Sequence, residues 1–600
     1  MRRHSGAMHV AEIVRKYDTK SGPGESRSYL LRRSYREGGK IRHETLANIS
    51  TLPLPAINAL RDVLSGKTLI VAGEGLEILR SLPHGHVAAL SAQARLLGLP
   101  ELLGPACRER DIAYALVLAR ALRPASKRAT VSWWSDTTLV KDFGLADVGT
   151  DEAYAAMDWL LCRQDAIESK LAKRHLGDEA NPSMRAYFDL SSSWVEGKTC
   201  PLAAFGHSRD AKRNKLQIEY GLLTDSKGTP VAIRVFPGNT ADPSSFGEIV
   251  TVVRERFGLT DLVMVGDRGM ITSARIDQLR ELSGMGWLTA LRAPSIKKLA
   301  EDGGPIQMSL FDEVNFCEIT HPDYPGERLV CCRNPLLGAE RTRKREALLD
   351  STEAELALVA QACKRERRPL RGKDKIGLRI GKVLNRHKMA KHFVLEIKED
   401  EVSFSRNEAS IAQEAALDGI YVLRTTIGAK ELDTAGVISA YKDLAVVERD
   451  FRSIKAIDID IRPIHHRLED RVRAHVFLCF LATYLTFHLR ATLAPLTFTD
   501  TSPSSRSDPV SPALRSESAK KKDATGHNDA NQEVRGFREL LDHLGTFTRN
   551  TMRVVTNQEA TFDLLATPTP TQRSAFELLC VAIPRTQLLP ELSDSRKRIP

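Results

Sequence analysis

The residues best suited to phosphoryl chemistry are three acids and a short stripe of cations with a phenol. Residues 441–455 read YKDLAVVERDFRSIK. At about 100° per residue, the helical advance, Glu448, Arg452 and Lys455 fall within about 40° of Tyr441. Leu444, Val447, Phe451 and Ile454 gather into an apolar flank beside that stripe. One side can therefore pack while the other presents a carboxylate, a guanidinium, an ammonium and a phenol. Upstream, Asp189 closes the apolar run of MRAYFDLSSSWVEG, and Asp267 closes that of DLVMVGDRG. Two divalent ions about 3.5–4 Å apart need hard oxygen ligands, which carboxylates supply. One such ion activates a water or a 3′-hydroxyl, and the other steadies the leaving oxygen of an in-line displacement. Each residue also has an ordinary reading. Glu448 and Arg452 make an i,i+4 surface pair, and each aspartate caps a turn. The joint occurrence, in this order, favours chemistry.

These acids have to be positioned by an α/β core. After Met184 the sequence predicts three strands (around Asp189, then LQIEYGLLTD and TPVAIRVFPG), a helix near 244–257, the Asp267 strand, a helix near 273–282 and the strand GWLTALR. Alternating strands and helices with acids at strand ends are where such sheets place their chemistry. The pattern breaks over 293–426, read as a β-rich basic insertion with a charged helix near 340–364, and resumes over 427–492. Around the core we expect an N-terminal α+β module (1–80) with a helix near 54–64, a helical domain (84–180), a flexible linker (493–532) rich in Ser, Pro, Lys and Asp, and a C-terminal tail (533–600).

Six hundred residues imply several cores, and the net charge of +11 implies a polyanionic partner. Residues 364–391 hold twelve Lys or Arg against Glu366 and Asp374, a local excess of +10. A solvated helix face mixes its signs, so this stretch reads as a DNA grip. The nine cysteines are mostly isolated and lack zinc spacing, which points to reduced thiols rather than a secreted disulfide framework. The N-terminus has no apolar signal run. The apolar stretch near 476–489 is interrupted by Thr, Tyr and His, so it reads as a buried helix and not a membrane span. His465, His466 and His475 have no Cys or carboxylate cluster beside them and read as solvated or DNA-facing rather than as zinc ligands. Trp287, inside an apolar strand, reads as core rather than as a base-stacking wedge. Arg209, Lys212, Arg213 and Lys215 contact phosphates if DNA lies across the first hairpin, or else form a solvated strand edge.

YFDLSSSWVEG, VMVGDRGMIT and the Tyr441–Lys455 segment together resemble the DDE transposases of bacterial insertion sequences, in the branch with a β-rich insertion and a Tyr-x2-Arg-x3-Glu-x6-Lys signature. GHSRDAKRNKLQIEYGLL and RPIHHRLEDRVRAHVFLCFLATYL resemble the flanking regions, so the likeness spans about 185–490. Tyr441, Glu448 and Lys455 match in type and spacing, but Leu444 stands where the signature has Arg, with Arg452 the candidate substitute. The resemblance implies a ribonuclease H-like catalytic core. It also implies Asp189, Asp267 and Glu448 as ligands of two Mg²⁺ ions, with Mn²⁺ as a substitute. Tyr441, Arg452, Lys455, Arg268, Arg213 and Lys212 are the expected DNA contacts. Cleavage at terminal inverted repeats, strand transfer into target DNA and a homodimeric or higher synaptic multimer follow from the same likeness. A cytoplasmic, nucleoid-associated location without a membrane is expected from the reduced cysteines and the interrupted apolar run. Two alternatives stand: a decayed or domesticated DNA-binding protein, and a host nuclease on the same core.

Overall fold

A computed structural model describes the chain except residues 1–6, 20–21, 38–39, 68–75, 178–184, 207, 210–211, 213, 241, 260–261, 283, 302–303, 312–313, 503–507, 556 and 583–600. The described residues divide into two compact units, one built on Met1–Leu82 with Thr548–Thr567, the other on Pro83–Phe547 with Pro568–Ile583.

In the first unit, alternating polar and apolar residues form the antiparallel strands Met8–Thr19, Gly22–Glu37 and Lys40–Asn48, with Glu37 opposite Lys40. The expected helix covers Leu54–Leu64 and buries Ile57. A second sheet sets Thr548–Val554 between Asn557–Leu565 and Leu76–Pro83. The C-terminal stretch, expected as one tail, is thus shared between the units.

The second unit is organised on an eight-stranded sheet. Its strands are β1 (Arg185–Trp194), β2 (Gln217–Thr224), β3 (Pro230–Pro237), β4 (Leu262–Val265), β5 (Met285–Ala290), β6 (Phe316–Ile319), β7 (Arg328–Arg333) and β8 (Ile420–Thr425), in the spatial order β6-β7-β8-β5-β4-β1-β2-β3. β1, β4 and β5 are mutually parallel, and the other neighbours are antiparallel. Every residue of β2 and β4 is buried, as in a sheet covered on both faces. One cover is the helix Glu469–Thr492. It has the length and apolarity to cross a membrane, yet most of it is buried in protein, against β3 and the helices Arg108–Leu122 and Thr150–Leu161. Those two belong to a helical region that begins at Gly85.

Three strands from the segment read as an insertion, β6 to β8, continue the main sheet beyond β5 instead of forming a layer of their own. Between β7 and β8 the chain makes two helices, Pro335–Cys363 and Lys373–His387, and a small hairpin, Phe393–Ile397 with Val402–Arg406. These close around a separate apolar cluster that includes Leu349, Leu356, Ile376 and Phe393. The stretch expected as a flexible linker carries a helix, Glu517–Thr525, and buries Val510, Ala519 and Lys522. The Lys522 ammonium donates to the carbonyls of Ala494, Thr497 and Thr499 at 3.0–3.1 Å. A polar composition here packs by satisfying exposed carbonyls rather than by burying many apolar side chains.

Candidate active site

β1 and β4 pair in parallel, with Tyr187 opposite Val265. Two residues further along each chain stand Asp189 and Asp267, so the register sets the two acids side by side. Asp189 Oδ1 accepts from Leu190 N at 2.8 Å. Asp267 lies just past β4, where its Oδ1 accepts from Gly269 N (2.8 Å) and Met270 N (2.9 Å). The turn role anticipated for Asp267 is therefore real, and it orients the carboxylate while occupying one of its oxygens.

The third acid arrives on a helix. Residues 441–455 do not form one continuous helix, as the projection assumed. The chain makes a helix Thr434–Lys442, breaks at Asp443, resumes as Leu444–Arg452 and ends in a π-helical turn, Ser453–Ile457. Beside the break, the Lys442 ammonium donates to the carbonyls of Pro509 (2.6 Å) and Ser511 (3.1 Å). The apolar flank holds as expected for Val447, Phe451 and Ile454, all buried, while Leu444 is only half-buried. Phe451 meets the Tyr220 ring of β2 edge-on at 5.8 Å. Val446 packs at the β2–β3 turn, where Gly228 has φ +85° and a Cβ would fall 2.0 Å from Val446 Cγ1. Glu448 and Arg452 are left exposed, and Lys455, in the π turn, is 9% exposed.

The three acids sense one another. Burial pushes the Asp189 carboxyl up to about 6, and the charges of Asp267 and Glu448 push the same way, against the Leu190 N–H and the Arg209 guanidinium. Burial likewise raises the Tyr441 phenol to about 12, with Asp267, Asp189 and Glu448 adding to the rise and Arg268 opposing it. Asp189, Asp267, Glu448, Tyr441, Arg268 and Arg209 thus share one electrostatic neighbourhood. No group of three or more acidic, His or Cys side chains stands ready at metal-ligating spacing among the described residues. The donor set nevertheless suits a divalent cation, because three hard carboxylates that repel one another lose that repulsion when they bind one.

Of the other expected contacts, Lys212 lies against the Trp194 ring, 5.3 Å from its centroid, at the far end of β1. Arg213 falls outside the described residues. Lys215 pairs with Glu196 at 3.0 Å. Trp287 is 2% exposed and donates its indole N–H to Glu327, so it is core. The expectation of solvated histidines fails at His475, which is 5% exposed. Asp450 was not anticipated. It is 7% exposed, one carboxylate oxygen has no hydrogen-bond partner, and burial raises it to about 8. It follows Phe451's side of the helix into the core, which an i,i+4 reading of surface acids does not reveal.

Two family models match the chain. The one described as "Transposase DDE domain" covers residues 195–485, and the one described as "IS1634 family transposase, N-terminal domain" covers 14–72. The chain is a DDE transposase of an insertion sequence. The larger match contains Asp267 and Glu448 and begins six residues after Asp189, on the strand that pairs with β4. No curated protein matches this transposase. Among solved structures it is similar to a piggyBac transposase synaptic complex with hairpin DNA, at 9% identity and a TM-score of 0.32, over 68% of this chain and 73% of that one.

Proposed function

We propose that this transposase cleaves DNA at transposon ends and transfers the freed strand into target DNA, using Asp189, Asp267 and Glu448 on a ribonuclease H-like core interrupted between Asp267 and Glu448. The strand order β3-β2-β1-β4-β5, an antiparallel meander followed by two parallel strands, supports that core. The observation that carries the reading is the parallel register of β1 with β4, which sets Asp189 beside Asp267, together with the packing of the Glu448 helix on β1.

In this reading the three carboxylates hold two divalent ions, Mg²⁺ being the expected metal. Bound there, the metal supplies nucleophile activation and charge neutralisation in an in-line phosphoryl transfer. The chain's own groups bind and orient. The Tyr441 phenol, raised to about 12, stays protonated at neutral pH and can donate to a phosphate oxygen. Arg268 and Arg452, both exposed, supply guanidinium donors matched to phosphate geometry, with Arg452 serving where the signature arginine is replaced by Leu444. Lys455 adds a cation close to the protein interior. Away from the acids, all twelve cations of 364–391 are exposed, and they would hold the DNA through its backbone.

The test is single-strand nicking of a duplex carrying a transposon end, with Mg²⁺. Glu448→Gln removes one ligand charge at an exposed position. It should abolish nicking while leaving duplex binding within about twofold. Undiminished nicking by that variant overturns the assignment. Products joined to a target duplex separate a transposase from a nuclease that cuts without joining.

A further inference from the structure

A second concentration of charge lies away from the carboxylates, in the loop between the Glu448 helix and the apolar helix. Residues 458–468 are clamped to the end of β1: Ile464 N donates to Trp194 O at 3.0 Å, and Glu196 N donates to Ile464 O at 2.8 Å. Behind this loop is a cavity of about 260 Å³ lined by Arg120, Lys127, Arg462, His465, His466 and His475, together with Tyr154 and a single acid, Asp460. His465 and Asp460 are exposed, so the cavity opens to solvent.

Its walls are cationic, and two of the cations are buried. Lys127 is 4% and Arg120 7% exposed, and neither pairs with a carboxylate among the described residues. Arg120 donates to the carbonyls of Ala125 (2.8 Å) and Asp460 (2.6 Å), and its Nε is buried without a partner. The Lys127 ammonium has one hydrogen bond, to His475 Nδ1 at 3.2 Å. His475 Nε2 meets the Ile461 carbonyl at 3.3 Å, which fixes the ring as neutral with its proton on Nε2. Two buried cations without a counter-charge are costly, because desolvation is offset only by an opposite charge or full hydrogen bonding. The cavity has room for several waters or for a tetrahedral oxyanion, since a water takes about 30 Å³. At its mouth Arg462 stacks 5.2 Å from the Trp194 ring centroid, the ring that Lys212 also covers.

We propose that this cavity is a phosphate-binding site, in which Lys127, Arg120 and Arg462 take the oxygens of a phosphate group supplied by the backbone of bound DNA. The choice of DNA as the source rests on the proposed function; the oxyanion chemistry does not. Asp189 and Trp194 are five residues apart on β1, about 17 Å at 3.3–3.4 Å per residue, so one strand of DNA could reach both places.

Two experiments on the full chain, in metal-free buffer, test it. In the first, inorganic phosphate is titrated while thermal unfolding is followed, with chloride at matched ionic strength as the control. Phosphate should raise the midpoint saturably and chloride should not, because a ligand that binds only the folded state stabilises it. Lys127→Met should weaken the apparent phosphate affinity at least tenfold, and Arg462→Gln, at a half-buried position, serves the same purpose if the first variant does not fold. Glu448→Gln should leave the shift intact, which separates this site from the carboxylates. In the second, duplex binding is measured against salt. Lys127→Met should flatten the log–log slope by about one, as for one lost phosphate contact. A lost phosphate shift with an unchanged slope keeps the oxyanion site but assigns it to free phosphate. A phosphate shift that is absent in the unmodified chain, or unchanged in both variants, overturns the proposal.

Discussion

Lys127 offers a sharp test of how this fold tolerates charge. Burial is the main cause that lowers its ammonium to about 8 from an ordinary 10.5, with Arg120 adding to the effect and only Cys479 opposing it. Two imidazoles of the same cavity, His466 and His475, are themselves held neutral by burial and cannot compensate. The sign follows from linkage. Between pH 8 and 10.5 the unfolded chain binds the proton that the folded chain has released, so stability rises with pH across that window. Below pH 8 the full penalty applies. A depression of 2.5 units at 1.36 kcal/mol each is about 3 kcal/mol. Lys127→Met keeps the aliphatic stem and removes the charge, at the cost of one hydrogen bond to His475, about 1 kcal/mol. At pH 7, without phosphate, the variant should be more stable by about 2 kcal/mol, and about half the charge penalty should be gone by pH 9.5. All five tryptophans, at 133, 134, 159, 194 and 287, lie in the second unit, so intrinsic fluorescence during urea unfolding follows that unit. A variant destabilised equally at pH 7 and 9.5 would refute the premise that the buried ammonium lacks a counter-charge.

Other expectations are independent of this pocket. Gly228→Ala forces a side chain into a left-handed turn and against Val446, so it should cost about 3 kcal/mol in unfolding and reduce nicking by displacing the Glu448 helix. Glu327, whose side chain is inaccessible, accepts from Arg280 (2.6 Å) and from Arg424 Nε (2.6 Å); Glu327→Ala leaves the buried Arg424 guanidinium without its carboxylate and should cost about 3 kcal/mol in the same unfolding assay. Arg365, Arg367 and Arg368 are exposed and, among the described residues, unpaired. Changing all three to Gln should lower the salt slope of duplex binding by about three, and an unchanged slope would remove 364–391 from the DNA contact surface.

What the sequence made legible follows the range of the forces involved. The meander, the two parallel strands, and the buried Val447, Phe451 and Ile454 all come from local apolar periodicity, which is written in the chain at distances of two to four residues. The break at Asp443 was not legible, because the apolar periodicity runs on through it, and the contacts of Lys442 with carbonyls more than sixty residues on are equally invisible in the segment. The same holds for Val510 and Lys522. A stretch poor in apolar residues looks unable to pack, but a lysine capping three carbonyls and a few buried side chains, Leu496, Val510 and Ala519 among them, are enough when a larger core stands beside them. The continuation of the sheet through β6, β7 and β8 depends on which edge of β5 is open, a property of the assembled sheet and not of any segment.

The two charge concentrations also bear on why one unit keeps Asp189 and Lys127 without an ion-pair partner within 4 Å among the described residues. Pairing Asp189 with a cation at short range, or Lys127 with an acid, would stabilise the resting fold, and the sequence has ample charges to do either. Residues at such positions that remain unpaired raise the free energy of the empty protein and lower that of the bound one by the same interactions. Under the two proposals, the cations taken by the acids and the phosphate taken by the bases are components of a single ligand, metal-loaded DNA. If that coupling operates, DNA binding should raise the unfolding midpoint more with Mg²⁺ present than the separate effects of the two predict, and Glu448→Gln should remove the excess while sparing the DNA term. Strict additivity in the unmodified chain would show that the two sites act on different ligands.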